Sequence, residues 1–210
     1  MQQLVLKLTL IGFSCAWLAA VSQAASTTTK WEDIVQAKDH PENWVTHHGS
    51  LDGQRYSRLD QINKETVKDL KVAFTYVVGG VGGSGVWEHA GLEGTPLAED
   101  GYLYITDGWG SVYKLDVRKN GQLVWKMDPE TDRDWAAEVT CCGVDNRGVA
   151  IWKDKIISHS LDGRLIVTNK ETGQIESEIP VADPAVSETL TAAPLIIKDM
   201  AVTGVAGGDY

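Results

Sequence analysis

The chain opens on an apolar run. Leu4, Val5, Leu6, Leu8, Leu10, Ile11, Phe13, Trp17 and Leu18 crowd together, and Lys7 is the only charge before Lys30. Ser22-Gln23-Ala24 then puts small residues at both positions that a signal peptidase reads. This layout predicts a secretory signal peptide over residues 1–24, cut after Ala24 or Ala25. The rival is a membrane anchor, but the run is short for a span and is interrupted by Gly12, Ser14 and Ser22. Cys15 leaves with the peptide, because Gly12-Phe13-Ser14 before it is a poor lipoprotein signal.

Residues 25–90 read as an N-terminal segment with short helices. After a polar tether, residues 31–43 predict a short helix with Ile34, Val35 and Ala37 on or near one face, ended by Pro41. A second short helix is expected around Lys64–Leu70, and a strand over Leu70–Tyr76. Beyond it, residues 91–210 change character to short β-runs punctuated by glycine and acidic turns. Strands are expected at Tyr102–Thr106, Ser111–Leu115 and Gln122–Lys126, then at Lys155–His159, Arg164–Thr168 and Gln174–Ser177. Gly110 aligns with Gly163, Asp116 with Asn169 and Gly121 with Gly173, and a further copy begins at Ala193–Ile197. A repeat of about fifty residues with about four short strands is a β-propeller signature. A β-sandwich is the alternative, but the aligned glycines favour blades. Two blades and the start of another do not close a ring, so the fold expected here is all-β and incomplete.

Composition narrows the function. Acidic residues outnumber basic ones by 29 to 19 with no long basic run, which argues against nucleic acid. Export would place Cys141 and Cys142 where disulfides persist. The five histidines, His40, His47, His48, His89 and His159, show no metal spacing and read as structural or solvent-exposed. No Cys-x-x-Cys-His occurs, so this segment attaches no c-type haem.

Two motifs carry more information. Asp116-x4-Gly121-x3-Trp125 pairs a tight turn with an aromatic, and Asn169-x2-Thr172-Gly173-x3-Ser177 keeps the turn without it. Glu138-Val139-Thr140-Cys141-Cys142-Gly143-Val144-Asp145-Asn146-Arg147-Gly148 joins adjacent cysteines to an Arg-Gly five residues on. The bare pair alone also fits two buried thiols. With its flanks, it resembles the pyrroloquinoline quinone (PQQ) dependent methanol and ethanol dehydrogenases, which are eight-bladed quinoprotein β-propellers. Trp87–Leu97, Thr189–Leu195 and Val202–Tyr210 fit the same family in the same order. The resemblance runs from about Trp44 to Tyr210 and covers roughly the first third of a typical member.

The resemblance implies a set of roles. Trp125 would dock one blade on the next. Cys141 and Cys142 would form a vicinal disulfide against which the flat cofactor stacks. Glu93 would hydrogen-bond the quinone, and Arg147 would sit by its reactive oxygens, where a fixed cation favours the quinol anion. A structural ion pair is the plain alternative for both residues. Thr191 would bind a cofactor carboxylate, Ala206, Gly207 and Gly208 would admit its acid groups, and Asp209 would bind the metal, Ca²⁺ or a lanthanide. The chain departs from the pattern at Asp209, where Glu is usual, and at Ala206, where Ser is common. The shorter carboxylate alters metal affinity or position, and a surface-loop role is its alternative. The family oxidises small primary alcohols to aldehydes and hands electrons to a cytochrome c-type acceptor or a built-in haem. Its general base lies beyond Tyr210, so residues 25–210 alone are expected to be inactive. A non-catalytic periplasmic propeller and a truncated gene product are the rival readings.

Overall fold

The computed structural model describes residues 28–79, 91–140 and 143–207. The signal peptide, Cys15, Trp87–Ala90, Cys141, Cys142, Gly208 and Asp209 therefore lie outside the described residues.

Two four-stranded antiparallel meanders form the body of the chain. The first holds β1 (Leu97–Glu99), β2 (Tyr102–Thr106), β3 (Val112–Asp116) and β4 (Gln122–Met127) in spatial order. The second holds β5 (Ala150–Trp152), β6 (Lys155–His159), β7 (Arg164–Asn169) and β8 (Ile175–Pro180) in the same order. A hairpin of β9 (Leu195–Ile197) and β10 (Met200–Val202) begins the next unit and lies alongside β5. These are propeller blades, as the repeat predicted.

The two blades superpose feature by feature. β3 carries a register shift between Lys114 and Leu115, and β7 carries one between Val167 and Thr168. Gly121 N–H donates to Asp116 O at 3.0 Å, and Gly173 N–H donates to Asn169 O at 2.9 Å. Both glycines have positive φ, +71° and +74°, where a side chain is strained. The side chains of Asp116 and Asn169 each accept backbone N–H groups that follow them, so one acid-or-amide turn closes both hairpins.

Period-two alternation sorts the side chains onto two faces of each blade. On the first, Leu97, Tyr104, Val112, Trp125 and Met127 meet Val149, Ile151, Ile156 and Ile166 of the second in one buried cluster. Each fully buried aliphatic side chain there contributes roughly 1.5–3 kcal/mol relative to exposure. Trp125 is the pivot. Its Nε1–H donates to Lys170 O at 3.0 Å, and its ring occupies the space that a Cβ on Gly173 would take, 2.7 Å away. The docking role expected of Trp125 is what this geometry shows. The other face of the second blade supplies Ala150, Ile157 and Leu165 to a cluster with Ile34, Ala37, Val45 and Ile196.

Several expectations need correction. The helix over 31–43 is only α1 (Trp31–Val35) followed by a 3₁₀ turn, Ala37–Asp39, and Val35 is exposed. His40 precedes Pro41, and a residue before proline avoids the α region, so the helix cannot run on. The helix around 64–70 is one 3₁₀ turn, Val67–Asp69. Asn63 Oδ1 accepts from the N–H groups of Glu65 and Thr66 and diverts the backbone into a local turn. The strand expected over Leu70–Tyr76 has no ladder among the described residues. Its alternation survives: Phe74, Tyr76 and Val78 are half-buried and their neighbours exposed. Phe74 covers Gly121 as Trp125 covers Gly173, and Tyr76 meets Tyr113 edge-on with ring centroids 6.0 Å apart. The segment thus lies on the first blade in the manner of a preceding blade's outer strand. Missing from the sequence expectations were β1, β5, β10 and α2 (Arg133–Val139). Three-residue strands show no period, and α2 starts at an Asp132 cap that accepts from Asp134 and Trp135 N–H.

Candidate cofactor site

The loop leading into β5 is built by its own polar groups. Asn146 is buried, and its Nδ2 donates to His159 O at 3.0 Å while its Oδ1 accepts from Gly148 N–H at 3.0 Å. Thr106 Oγ1 donates to Asn146 O from the first blade. Arg147 follows, and its backbone ties three chain segments together. Arg147 N–H donates to Thr191 O at 2.9 Å, and Thr95 N–H donates to Arg147 O at 3.3 Å. Upstream, Thr140 ends α2 with its N–H and Oγ1 both donating to Ala136 O. Cys141 and Cys142, between Thr140 and Gly143, lie outside the described residues.

Glu93 and Arg147 meet here. Glu93 Oε2 is 2.8 Å from Arg147 Nη2, with both side chains a little under half exposed. An exposed pair of this kind is worth about 0–1 kcal/mol, so a ligand can take the guanidinium at small cost. Behind it lies Asp145, whose Oδ2 is 3.8 Å from the same nitrogen and whose side chain is buried. Burial, then the charge of Glu93, raises the Asp145 carboxyl above its ordinary pKa, while Arg147 and the Gly91 N–H oppose the rise.

Thr191 is adjacent through its backbone. Thr189 and Ala206 exchange N–H···O bonds at 2.7 and 2.9 Å, which lays the Ala206-Gly207 segment beside the Thr189–Thr191 segment. Glu93, Arg147 and Thr191 are therefore linked at one junction, the first two through side chains and the last through its backbone, and Ala206 pairs with Thr189 two residues before Thr191. Gly208 and Asp209 lie outside the described residues. Among the described residues, no group of three or more His, Cys, Asp or Glu side chains is placed to hold a metal ion.

Asp145, within the Glu138–Gly148 motif, carries no signal of its own in the sequence. Of the two readings open for His159, structural or exposed, the structure shows the first, since it is fully buried. Its Nδ1–H donates to Ala192 O at 2.7 Å, and Nε2 has no hydrogen-bond partner among the described residues. Burial lowers its pKa below the ordinary imidazole value.

Comparison with known proteins agrees with this geometry. The family model for the PQQ glucose/ethanol/alcohol dehydrogenase β-propeller domain matches residues 44–208. This chain belongs to that family. A quinohemoprotein alcohol dehydrogenase, ADH-IIG, of Pseudomonas putida is 38% identical over 178 residues, covering 84% of this chain and 23% of the relative. A lanthanide-dependent methanol dehydrogenase of Methylorubrum extorquens is 32% identical, over 92% of this chain and 31% of the relative. Among solved structures, the Pseudomonas putida enzyme superposes with a TM-score of 0.79 at 37% identity, covering 86% of this chain and 25% of that one. A europium-containing methanol dehydrogenase follows at 0.77 and 31%, covering 85% and 30%. The chain thus spans about a quarter to a third of the length of these relatives. Among the described residues, no helix is long and apolar enough to cross a membrane.

Proposed function

We propose that this chain is the cofactor-binding N-terminal part of a PQQ-dependent alcohol dehydrogenase that oxidises a small primary alcohol to an aldehyde. The convergence of Glu93, Arg147 and Thr191 on one loop junction carries the proposal. The site's chemistry fits the cofactor. A fork-shaped cation that is weakly held and half-exposed suits carbonyl or carboxylate oxygens. PQQ, when bound with its metal as Lewis acid, supplies the acceptor for the hydride of the alcohol carbon.

The chain's own residues have orienting roles. Arg147 would offer positive charge to the quinone oxygens, Glu93 would hydrogen-bond the quinone, and Thr191 with Ala206, Gly207 and Gly208 would receive the acid groups. Cys141 and Cys142 would pair as a disulfide on the cofactor's side of the site, and Asp209 would supply one oxygen to Ca²⁺ or a lanthanide. The proton-accepting base is not among these residues, so residues 25–210 alone hold no turnover. The signal peptide over 1–24 exports the protein to the periplasm, where a cytochrome c-type protein takes the electrons. Relatives point the same way, since one is a cytochrome c-linked 1-butanol dehydrogenase of Thauera butanivorans.

The test is reconstitution of the intact native protein. Dye reduction by a primary alcohol should require both added PQQ and Ca²⁺ or a lanthanide, and should be lost in Arg147→Ala. Alcohol oxidation without PQQ, or an Arg147→Ala protein as active as the parent, would overturn the proposal.

A further inference from the structure

We propose that Asp145 is the positioning residue of this site: its buried carboxylate ties the Glu93 segment to the Arg147 loop and governs, as a second anion on the guanidinium, the pH range over which the site accepts an anionic ligand. The inference rests on the PQQ reading and extends it to a residue with no assigned role.

The geometry separates the two carboxylates. Glu93 is the nearer to Arg147 Nη2, at 2.8 Å, and is half-exposed. Once an incoming anion takes the guanidinium, Glu93 can give up this ion pair at little cost. Asp145, at 3.8 Å, cannot. Its side chain is only 7% exposed and accepts a hydrogen bond from Gly91 N–H. Gly91 stands two residues before Glu93, and a Cβ on it would lie 3.9 Å from Asp145 Oδ1. A Cβ on Gly108 would meet Val144 O at 2.3 Å and Gly91 O at 3.6 Å, so Gly108 lies closely against both loops. Asp145 is therefore fixed behind the guanidinium and holds both loops in register while Glu93 exchanges.

Charge adds the second half. Among the described residues, the charged groups facing Asp145 are Glu93 and Arg147. Two carboxylates outnumber one cation, so an approaching carboxylate ligand is opposed until one of the pair takes a proton. Burial and the Glu93 charge make Asp145 the one that takes it. Binding of an anion is then linked to proton uptake and tightens as pH falls.

The experiment is a fluorescence titration of the intact native protein with PQQ at saturating Ca²⁺, from about pH 8 to about pH 5. Wild-type protein should bind more tightly as pH falls. Asp145→Asn keeps an oxygen for the Gly91 N–H and cannot titrate, so its binding should lose that pH dependence. Asp145→Ala loses the acceptor too and should bind on the order of tenfold more weakly than Asp145→Asn at every pH. Wild-type pH dependence retained in Asp145→Asn, or equal affinity of Asp145→Ala and Asp145→Asn, would sink this inference while leaving the PQQ reading intact. If Asp145→Ala does not fold, the near-isosteric Asn variant still decides. Failure of the wild-type protein to bind PQQ would remove both.

Discussion

At the scale of single residues, burial decides more than residue type. His159 and His40 are the same amino acid, yet one is enclosed and the other lies on the surface. Because the Nδ1 of His159 donates to Ala192 O, its Nε2 is the unprotonated nitrogen, and protonation would bury an uncompensated charge. Its folded pKa is depressed, whereas the unfolded chain titrates near 6.5. The unfolded state therefore binds more protons as pH falls below that value, and stability is lost on the acid side. His159→Gln should lack this component. Urea denaturation midpoints at about pH 7 and about pH 5.5 check it, and an equal acid loss in both proteins would refute it.

At the scale of the element, the two blades are joined by aromatic docking and by buried charge. Lys170 precedes the Glu171–Gly173 turn and is fully buried, with its Nζ 2.6 Å from Glu99 Oε2 on β1. Thr29 Oγ1 also hydrogen-bonds the Glu99 carboxylate, which brings the N-terminal segment into the same junction. Lys114 of β3 lies beneath, its Nζ donating to Lys170 O at 3.0 Å and resting 4.3 Å from the Tyr102 ring. Removing one partner of such a pair strands a charge, whereas replacing both removes the desolvation cost as well. Lys170→Met should destabilise by about 3–5 kcal/mol, and Glu99→Leu/Lys170→Met should recover most of that. Thermal or chemical denaturation of the two variants measures the difference. Additive losses would show that the charges act independently.

At the scale of the molecule, exposed apolar side chains recur along residues 56–77. Tyr56, Ile62, Leu70, Val72 and Val77 are all more than half exposed. Phe74 and Tyr76 hold their segment on the first blade by one side only, leaving the outward side chains uncovered. Residues 28–207 should accordingly bind a hydrophobic dye such as ANS strongly. Dye binding no stronger than that of a closed globular domain of similar size would contradict this account of the exposed surface.

The repeat and the hairpin turns were legible in the sequence because each depends on a local rule, whereas the docking of Trp125 was legible only through the family resemblance. A positive-φ glycine after an acid-or-amide residue closes a hairpin wherever it stands, and period-two alternation assigns faces without knowledge of the neighbour. The motif around Arg147 was legible through the spacing of unusual residues, and through it the family. Four features were decided only by tertiary structure. Three-residue strands such as β1 and β5 carry no readable period and exist because a longer neighbour pairs with them. The strand expected over Leu70–Tyr76 had the right alternation but found no ladder, because hydrogen-bond partners are supplied by the fold and not by the segment. The ion pair of Glu93 with Arg147, with buried Asp145 behind it, joins loops more than fifty residues apart in the chain. The burial of His159 and Lys170 follows from blades stacking over them. Local chemistry thus determined the turns, strands and family signature, while desolvation and long-range pairing, which depend on what the rest of the chain encloses, determined which charges are held and where the site converges.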